Sequence, residues 1–329
     1  MTERQKLVRG VIILGVALVV AYVWALIAGH ARVPVGELFA EKYAALVRIR
    51  AARALLGIIV GAGLAVAGVI LQGVLRNPLA DPYVLGVSSG AGLGAALAML
   101  AGLMAAGAWV VPGAAFVGAV LAILLVYLLA RVGKTVPVYT LLLAGVIVNS
   151  VASSLLIFLV HTSIARGQGL QNVMWWLLGS LQVLDTWRVV AAGAAVGAGV
   201  LVTLFFTRDL NVLSMGEEPA AHLGLRVERT KKLLFVVASL VTGAAVSASG
   251  LIGFVGLIVP HGVRLVVGPD NKVLVPLSAL SGAVFLVIAD IIARTILPSG
   301  ELPIGVITAF LGGPFFLYLL RRHRGGAAR

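Results

Sequence analysis

The chain has 329 residues, 61% of them hydrophobic and only 11% charged, with a mean hydropathy of +1.11. That composition excludes a soluble domain of this size and indicates a polytopic membrane protein. The net charge of +13 does not point to nucleic acid, because the basic residues fall in short loops between apolar runs, where membrane topology accounts for them. With no cysteine, disulfides, thiolate metal sites and cysteine chemistry are also excluded.

At the N-terminus, Arg4, Lys6 and Arg9 precede an apolar run from Val11 to Ala28. The run is too long for a cleaved signal peptide and reads as an uncleaved first span. Since a crossing needs ~20 apolar residues, the sequence predicts spans near 10–28, 53–75, 86–104, 111–130, 138–161, 188–206, 233–255, 273–293 and 303–320. A shorter apolar segment, 258–268, makes ten if it also crosses. Both termini then lie in the cytoplasm. Ten crossings put 17 of the 25 basic residues on the inside and 8 outside, in keeping with the excess of positive charge in cytoplasmic loops. Nine would strand Arg321, Arg322, Arg324 and Arg329 outside.

The first outer loop, Gly29 to Ala52, has helix-like content and leads through Arg48 and Arg50 to Arg53. Glycines recur at helix-packing spacing, at Gly57 and Gly61 and then at Gly86, Gly90 and Gly94. Such stripes let helix backbones approach closely where no water drives them together. Trp175, Trp176 and Trp187 read as an interfacial belt in preference to a ligand cage.

An internal echo at an offset of 182 pairs Gly61 with Gly243, Gly68 with Gly250, Pro78 with Pro260 and Gly86 with Gly268. Five spans per half would make the halves inverted with respect to each other, an architecture typical of transporters. Pro78 and Pro260 would mark equivalent breaks.

One long polar stretch interrupts the chain, residues 207–232, TRDLNVLSMGEEPAAHLGLRVERTKK. Ser214 and Glu217 have capping-box spacing, and Gly224 sits where a helix C-cap belongs, so a short surface helix is expected over Met215–Leu223. Arg208, Arg226, Arg229, Lys231 and Lys232 place this loop in the cytoplasm. It reads as a docking face for a partner, with a lipid-surface helix as the alternative.

Chemistry is sparse within the spans. Asp290 is the one carboxylate inside a predicted span, four residues before Arg294, at the spacing of a helical ion pair. No evident ion-coupling residue remains, so the energy for any transport comes from elsewhere. Gly133-Lys134-Thr135 resembles the end of a phosphate loop, but Leu128 stands where the motif needs glycine, and the chain does not itself hydrolyse nucleotide. His30, His161, His222, His261 and His323 lack metal-ligand spacing, and His161 reads as an interfacial polar residue. Ser153 and Ser154 beside Asn149 suit packing or a pore lining, because no nucleophile and base pair is visible.

The stretch GVILQGVLRNPLADPYVLGVSSGAG (68–92) strongly resembles the FecCD-type permeases of ABC importers, which carry cobalamin, haem and ferric siderophores. The likeness continues through WWLLGSL (175–181), GEEPAAHLG (216–224), GLIGFVGLIVPHGVR (250–264), ADIIAR (289–294) and ELPIGV (301–306). It implies an all-α membrane protein of ten transmembrane helices in two inverted five-helix halves, one permease domain over 1–329. It implies a homodimer in a bacterial or archaeal cytoplasmic membrane, two ATPase subunits that hold the ATP and magnesium, and one periplasmic or lipid-anchored binding protein. No cofactor is expected in this chain.

By the same resemblance, the 207–232 loop carries the ATPase-coupling residues Met215, Gly216, Glu217, Glu218, Ala220, Ala221, His222, Leu223 and Gly224. Arg50, Arg53 and Arg294 match arginines that dock the binding protein. Asn77, Leu79, Val138, Tyr139 and Thr140 fall at the cytoplasmic gate. The alternative is an ion-coupled secondary carrier that works without an ATPase.

Overall fold

The computed structural model describes residues 2–326 except 30, 32, 134, 165–169 and 184. Helices account for all the regular structure among these residues, apart from one isolated bridge between Val132 and Thr135. In chain order they are α1 (Glu3–Ile27), α2 (Ala44–Val74), α3 (Val87–Leu100), α4 (Val110–Ala130), α5 (Val138–Ile164), α6 (Leu170–Leu177), α7 (Thr186–Phe205), α8 (Thr207–Ser214), α9 (Glu217–His222), α10 (Val227–Ser249), α11 (Val255–Val267), α12 (Asn271–Thr295) and α13 (Ile304–Gly326). Short 3₁₀ turns join some of them. Among the described residues, seven helices are long and apolar enough to cross a membrane: α1, α2, α4, α5, α7, α10 and α12. Two shorter apolar helices, α3 and α11, and the apolar first part of α13, Ile304–Leu317, lie among them.

The central helix is α2. Its most apolar stretch is 78% buried, against 11% for α1, and it packs against α1, α7, α10, α11 and α12. Glycines permit this crowding. A Cβ at Gly61 would land on the carbonyl of Gly282 in α12, one at Gly282 would land on that of Gly61, and one at Gly68 would land on the carbonyl of Gly256 in α11. Side chains at these positions would force the backbones apart and forfeit the close packing that holds helices together in lipid.

The stripe in α3 works the same way at Gly90 and Gly94, which press on the carbonyls of Gly118 and Ala114 in α4. Gly86 departs from the expected shared face. It caps α3 with φ +83° and looks toward Val126 and Val148.

Pro260 shows how one local defect is repaired across the fold. It lies inside α11, where it cannot donate to the carbonyl of Gly256. The buried Gln72 amide of α2 donates there at 3.4 Å and to Leu257 at 3.2 Å, giving the freed carbonyl a partner that lipid cannot supply.

The segment between α2 and α3, which includes a 3₁₀ turn over Pro82–Leu85, is satisfied in a similar way. Asn149 of α5 donates to the carbonyls of Tyr83 and Val84 at 3.0 and 3.2 Å, and Ser89 donates to Asn149 at 2.6 Å. The Tyr83 hydroxyl accepts from the Ile252 N–H at 2.7 Å. Asn149 therefore ties this turn to α5.

Several expectations from the sequence change. Pro78 lies in the turn after α2, whereas Pro260 is helical, so the two do not mark equivalent breaks. Gly68 likewise sits within α2 while Gly250 ends α10. The offset of 182 brings the starts of α2 and α10 into register but does not hold to their ends. The helix-like content of the first outer loop proves to be the beginning of α2, so Arg48, Arg50 and Arg53 are helical.

Substituting Gly68→Ala should destabilise the fold by about 1–3 kcal/mol through overpacking against Gly256. The measurement is the thermal unfolding midpoint in detergent; an unchanged midpoint would contradict the assigned contact.

Candidate functional site

Two polar regions stand at opposite ends of the helical body. The basic end carries the 207–232 segment, which is mostly helical. Thr207–Ser214 forms α8, an element the sequence did not announce. This helix removes the predicted capping box: Ser214 donates to the carbonyl of Asn211 in its own last turn at 2.6 Å and does not cap α9. Gly216, with φ +124°, is the N-cap of α9 instead. The surface helix is thus Glu217–His222, shorter than the expected Met215–Leu223, with Met215 and Gly216 ahead of it and Leu223 as C-cap.

The stop signal is where the sequence places it. Gly224 has φ +83°, its N–H donates to Ala221 at 2.9 Å, and the Leu225 N–H donates to Ala220 at 3.1 Å. This paired closure of a helix end requires a left-handed residue. Ala220 is buried and anchors α9, while Met215, Glu218, Ala221, His222, Leu223 and Gly224 are exposed. An apolar pair, Met215 at 66% and Leu223 at 64% exposure, flanks an acidic first turn of Glu217 and Glu218.

Polar contacts tie this segment to the body at two places. Asn211 of α8 donates to Asp270 at 2.6 Å and accepts from the Asn271 N–H at 2.8 Å, fixing α8 to the start of α12. Lys231 of α10 reaches Glu217 of α9 and Glu228 of α10, each at 3.0 Å. Near this junction, α5 begins at Val138. Of the predicted gate residues, Tyr139 is 74% exposed, Thr140 donates to Ala130 and Pro137 at 2.9 and 2.8 Å, and Asn77 accepts from the Leu79 N–H at 2.9 Å. Val74 and Leu75, just before Asn77, line one small cavity with Val136, Val138 and Leu141. Val138 thus faces the end of α2, while Asn77, Leu79, Tyr139 and Thr140 do not line that cavity.

At the opposite end, Arg50, Arg53 and Arg294 turn inward. Arg50 donates to the carbonyls of Leu26, Ile27 and Ala31 at 2.9, 3.1 and 2.6 Å. Arg294 donates to Ala25 and Ala28 at 3.2 and 3.3 Å. Two guanidiniums thereby satisfy the carbonyls at and just beyond the C-terminus of α1, where a helix leaves its last acceptors unpaired and favours positive charge.

The predicted pair of Asp290 with Arg294 forms at 2.9 Å, and Asp290 is also held by Arg53 at 2.8 Å. Arg53 is shared in turn with Glu301 at 2.8 Å. Arg53 and Glu301 border a cavity of about 770 Å³ that Trp175 and Trp176 also line, whereas Trp187 is 71% exposed. For Trp175 and Trp176 this differs from a simple interfacial belt.

His161 lies on the surface, and His261 is buried against the edge of Phe315. Gly133 adopts φ +61° in the turn after α4; Lys134, His30 and Arg329 fall outside the described residues. Among the described residues, no group of three or more histidine, cysteine or carboxylate side chains could hold a metal ion.

With the two polar ends in place, comparison with known proteins is decisive. A profile of the FecCD transport family matches residues 17–322. This chain belongs to the FecCD transport family.

The chain is 51% identical over 274 residues to a cobalamin import system permease of Halobacterium salinarum, covering 83% of this chain and 72% of that one. It is 39% identical to a hemin transport system permease of Yersinia pestis, with 84% and 83% covered. It is 40% identical to an Fe(3+) dicitrate transport system permease of Escherichia coli, with 86% and 87% covered. Among solved structures, a metal-chelate type ABC transporter in an inward-facing conformation superposes with a TM-score of 0.83 at 28% identity, over 97% of this chain and 99% of that one. The family's sequence signal thus spans both polar ends and the helices between them.

Replacing Asp290 with Asn should lower stability by about 3–5 kcal/mol, because Arg53 and Arg294 would lose their shared buried counter-charge. Chemical denaturation in detergent would read this; a loss below about 1 kcal/mol would contradict the description of the pair as structural.

Proposed function

We propose that the chain is the membrane-spanning subunit of a binding-protein-dependent ABC importer for a metal chelate. In this reading it spans the cytoplasmic membrane of a bacterium or archaeon ten times, in two inverted five-helix halves, with both termini inside. Two copies enclose the path along their shared axis. Two ATPase subunits sit below, where ATP and magnesium bind, and one periplasmic or lipid-anchored binding protein sits above. The observation that carries this reading is α9, a short helix with an anchored inner residue and an exposed apolar and acidic outer face. It suits insertion into a groove of the ATPase.

The cargo class follows the relatives, whose names state cobalamin, hemin and Fe(3+) dicitrate. The chain's role is translocation by alternating access, with chelate affinity supplied by the binding protein and work by ATP. Asn77, Leu79, Val138, Tyr139 and Thr140 form the cytoplasmic gate. Of Arg50, Arg53 and Arg294, Arg53 serves docking of the binding protein at the outer rim, while the buried Arg50 and Arg294 contribute indirectly by holding the end of α1 beside it. For Arg53, a partner carboxylate would compete with Glu301, which is 37% exposed, more readily than with Asp290 at 2%. The secondary-carrier alternative loses support because Asp290 is clamped between two guanidiniums and is poorly placed to charge and discharge in a cycle.

The reading is tested by purifying the tagged chain from native membranes in mild detergent with quantitative mass spectrometry. A stoichiometric ATPase is expected; repeated recovery of the chain alone would overturn the proposal. A second outcome concerns the helix end. Gly224→Val forces a β-branched residue into a left-handed conformation, at roughly 1–3 kcal/mol of strain. It should reduce uptake per ATP hydrolysed, and full ATP-driven uptake would contradict the role given to α9.

A further inference from the structure

The ammonium of Lys231 is buried, with only 8% of its side chain exposed, yet it lies at the basic end where a lysine could reach water. Its three partners belong to three separate pieces of structure. It donates to Glu217 on α9 at 3.0 Å, to Glu228 on α10 at 3.0 Å, and to the carbonyl of Val136, in the turn between α4 and α5, at 3.2 Å. Glu228 closes the circuit by accepting from the Val136 N–H at 3.2 Å. Both backbone polar groups of Val136 are thereby gripped, two residues before α5 begins.

We propose that Lys231, with Glu228, is the positioning residue that transmits movement of α9 to the start of α5 and so to the gate. This deepens the functional reading above and rests on α9 being the segment that the ATPase engages. The physical basis is directional stiffness. An ammonium has three donors, and all three are used here on different elements, so a shift of α9 through Glu217 must either drag Val136 or break charge-assisted bonds in a partly dry site. Packing alone would allow α9 to slide, because Ala220 is its single buried residue. The other polar tie, from Asn211 to Asp270 and Asn271, leads to α12 and not to the gate. Among the described residues, the junction at Lys231 is therefore the polar connection from α9 that reaches the turn leading into α5.

This chain has no native cysteine, so a single introduced thiol is the only one on it to report, read by labelling of this subunit. Ala221 and Tyr139 are both exposed, the first on α9 and the second in the first turn of α5. Alkylation rates at Ala221→Cys and Tyr139→Cys would be followed in the complete complex, without nucleotide and with ADP trapped by vanadate after ATP hydrolysis. The thiol at 221 should be protected by the bound ATPase in the parent and in Lys231→Met alike. At 139, the nucleotide-dependent change in rate should be present in the parent and fall by roughly fivefold or more in Lys231→Met, the scale of a typical coupling energy.

A nucleotide response at 139 that survives in Lys231→Met would overturn the proposal, and so would its absence from the parent. Lack of protection at 221 in the parent would instead sink the assignment of α9 to the ATPase, a separate failure. Glu217→Ala removes the α9 arm of the junction, from a residue whose side chain is 39% exposed and also belongs to the acidic face offered to the ATPase, so its effect at 139 is read with the thiol at 221 still protected, which shows that the ATPase remains engaged. It should abolish the response at 139 as well; a retained response there would count equally against transmission through Lys231.

Discussion

Close backbone contact at α2 is the constraint on which the rest of the structure depends. Inside a bilayer no water is displaced when helices meet, so association relies on dispersion and on polar groups finding partners. α2 obtains the first through Gly61 and Gly68, which let the carbonyls of Gly282 and Gly256 approach its axis. It supplies the second through Gln72, whose amide occupies the carbonyl that Pro260 leaves bare. Both devices act on neighbouring turns of one helix. With α2 fixed, the start of α11, the middle of α12 and the turn leading into α3 all acquire definite positions.

The two ends of the molecule use buried charge in different ways. At the opposite end from α9, guanidiniums hold the end of α1, a helix that shows most of its apolar surface to its surroundings and packs one side on α12. Asp290 and Glu301 balance that positive charge, so the cluster is a clasp between α1, α2, α12 and the segment before α13. At the basic end, the charges sit at joints between short elements. The contrast suits a body that must keep one end assembled while the other responds to a partner.

Much of the helical framework was legible because apolar runs of the right length are a one-dimensional signal, and so were Gly224 as a helix stop and the spacing of Asp290 and Arg294. What failed was local grammar read without its neighbours. Ser214 has the spacing of a cap, but α8 ends there and its hydroxyl is already used by Asn211. Gly86 shares spacing with Gly90 and Gly94 but occupies a left-handed cap, which removes it from their face. Residues that matter through distant partners left no local trace: Gln72 and Gly256 are 184 positions apart, and Lys231 and Val136 are 95 apart. In the sequence Lys231 is one basic residue among five in a loop. Its burial and three bonds exist only in the folded chain.

The most direct test of the account is chelate uptake into proteoliposomes containing the chain with its ATPase and binding protein, with internal and external ion gradients collapsed. The account predicts uptake that requires ATP and persists without any gradient. Uptake by the chain alone, sustained by a proton or sodium gradient and lost when that gradient is dissipated, would contradict it.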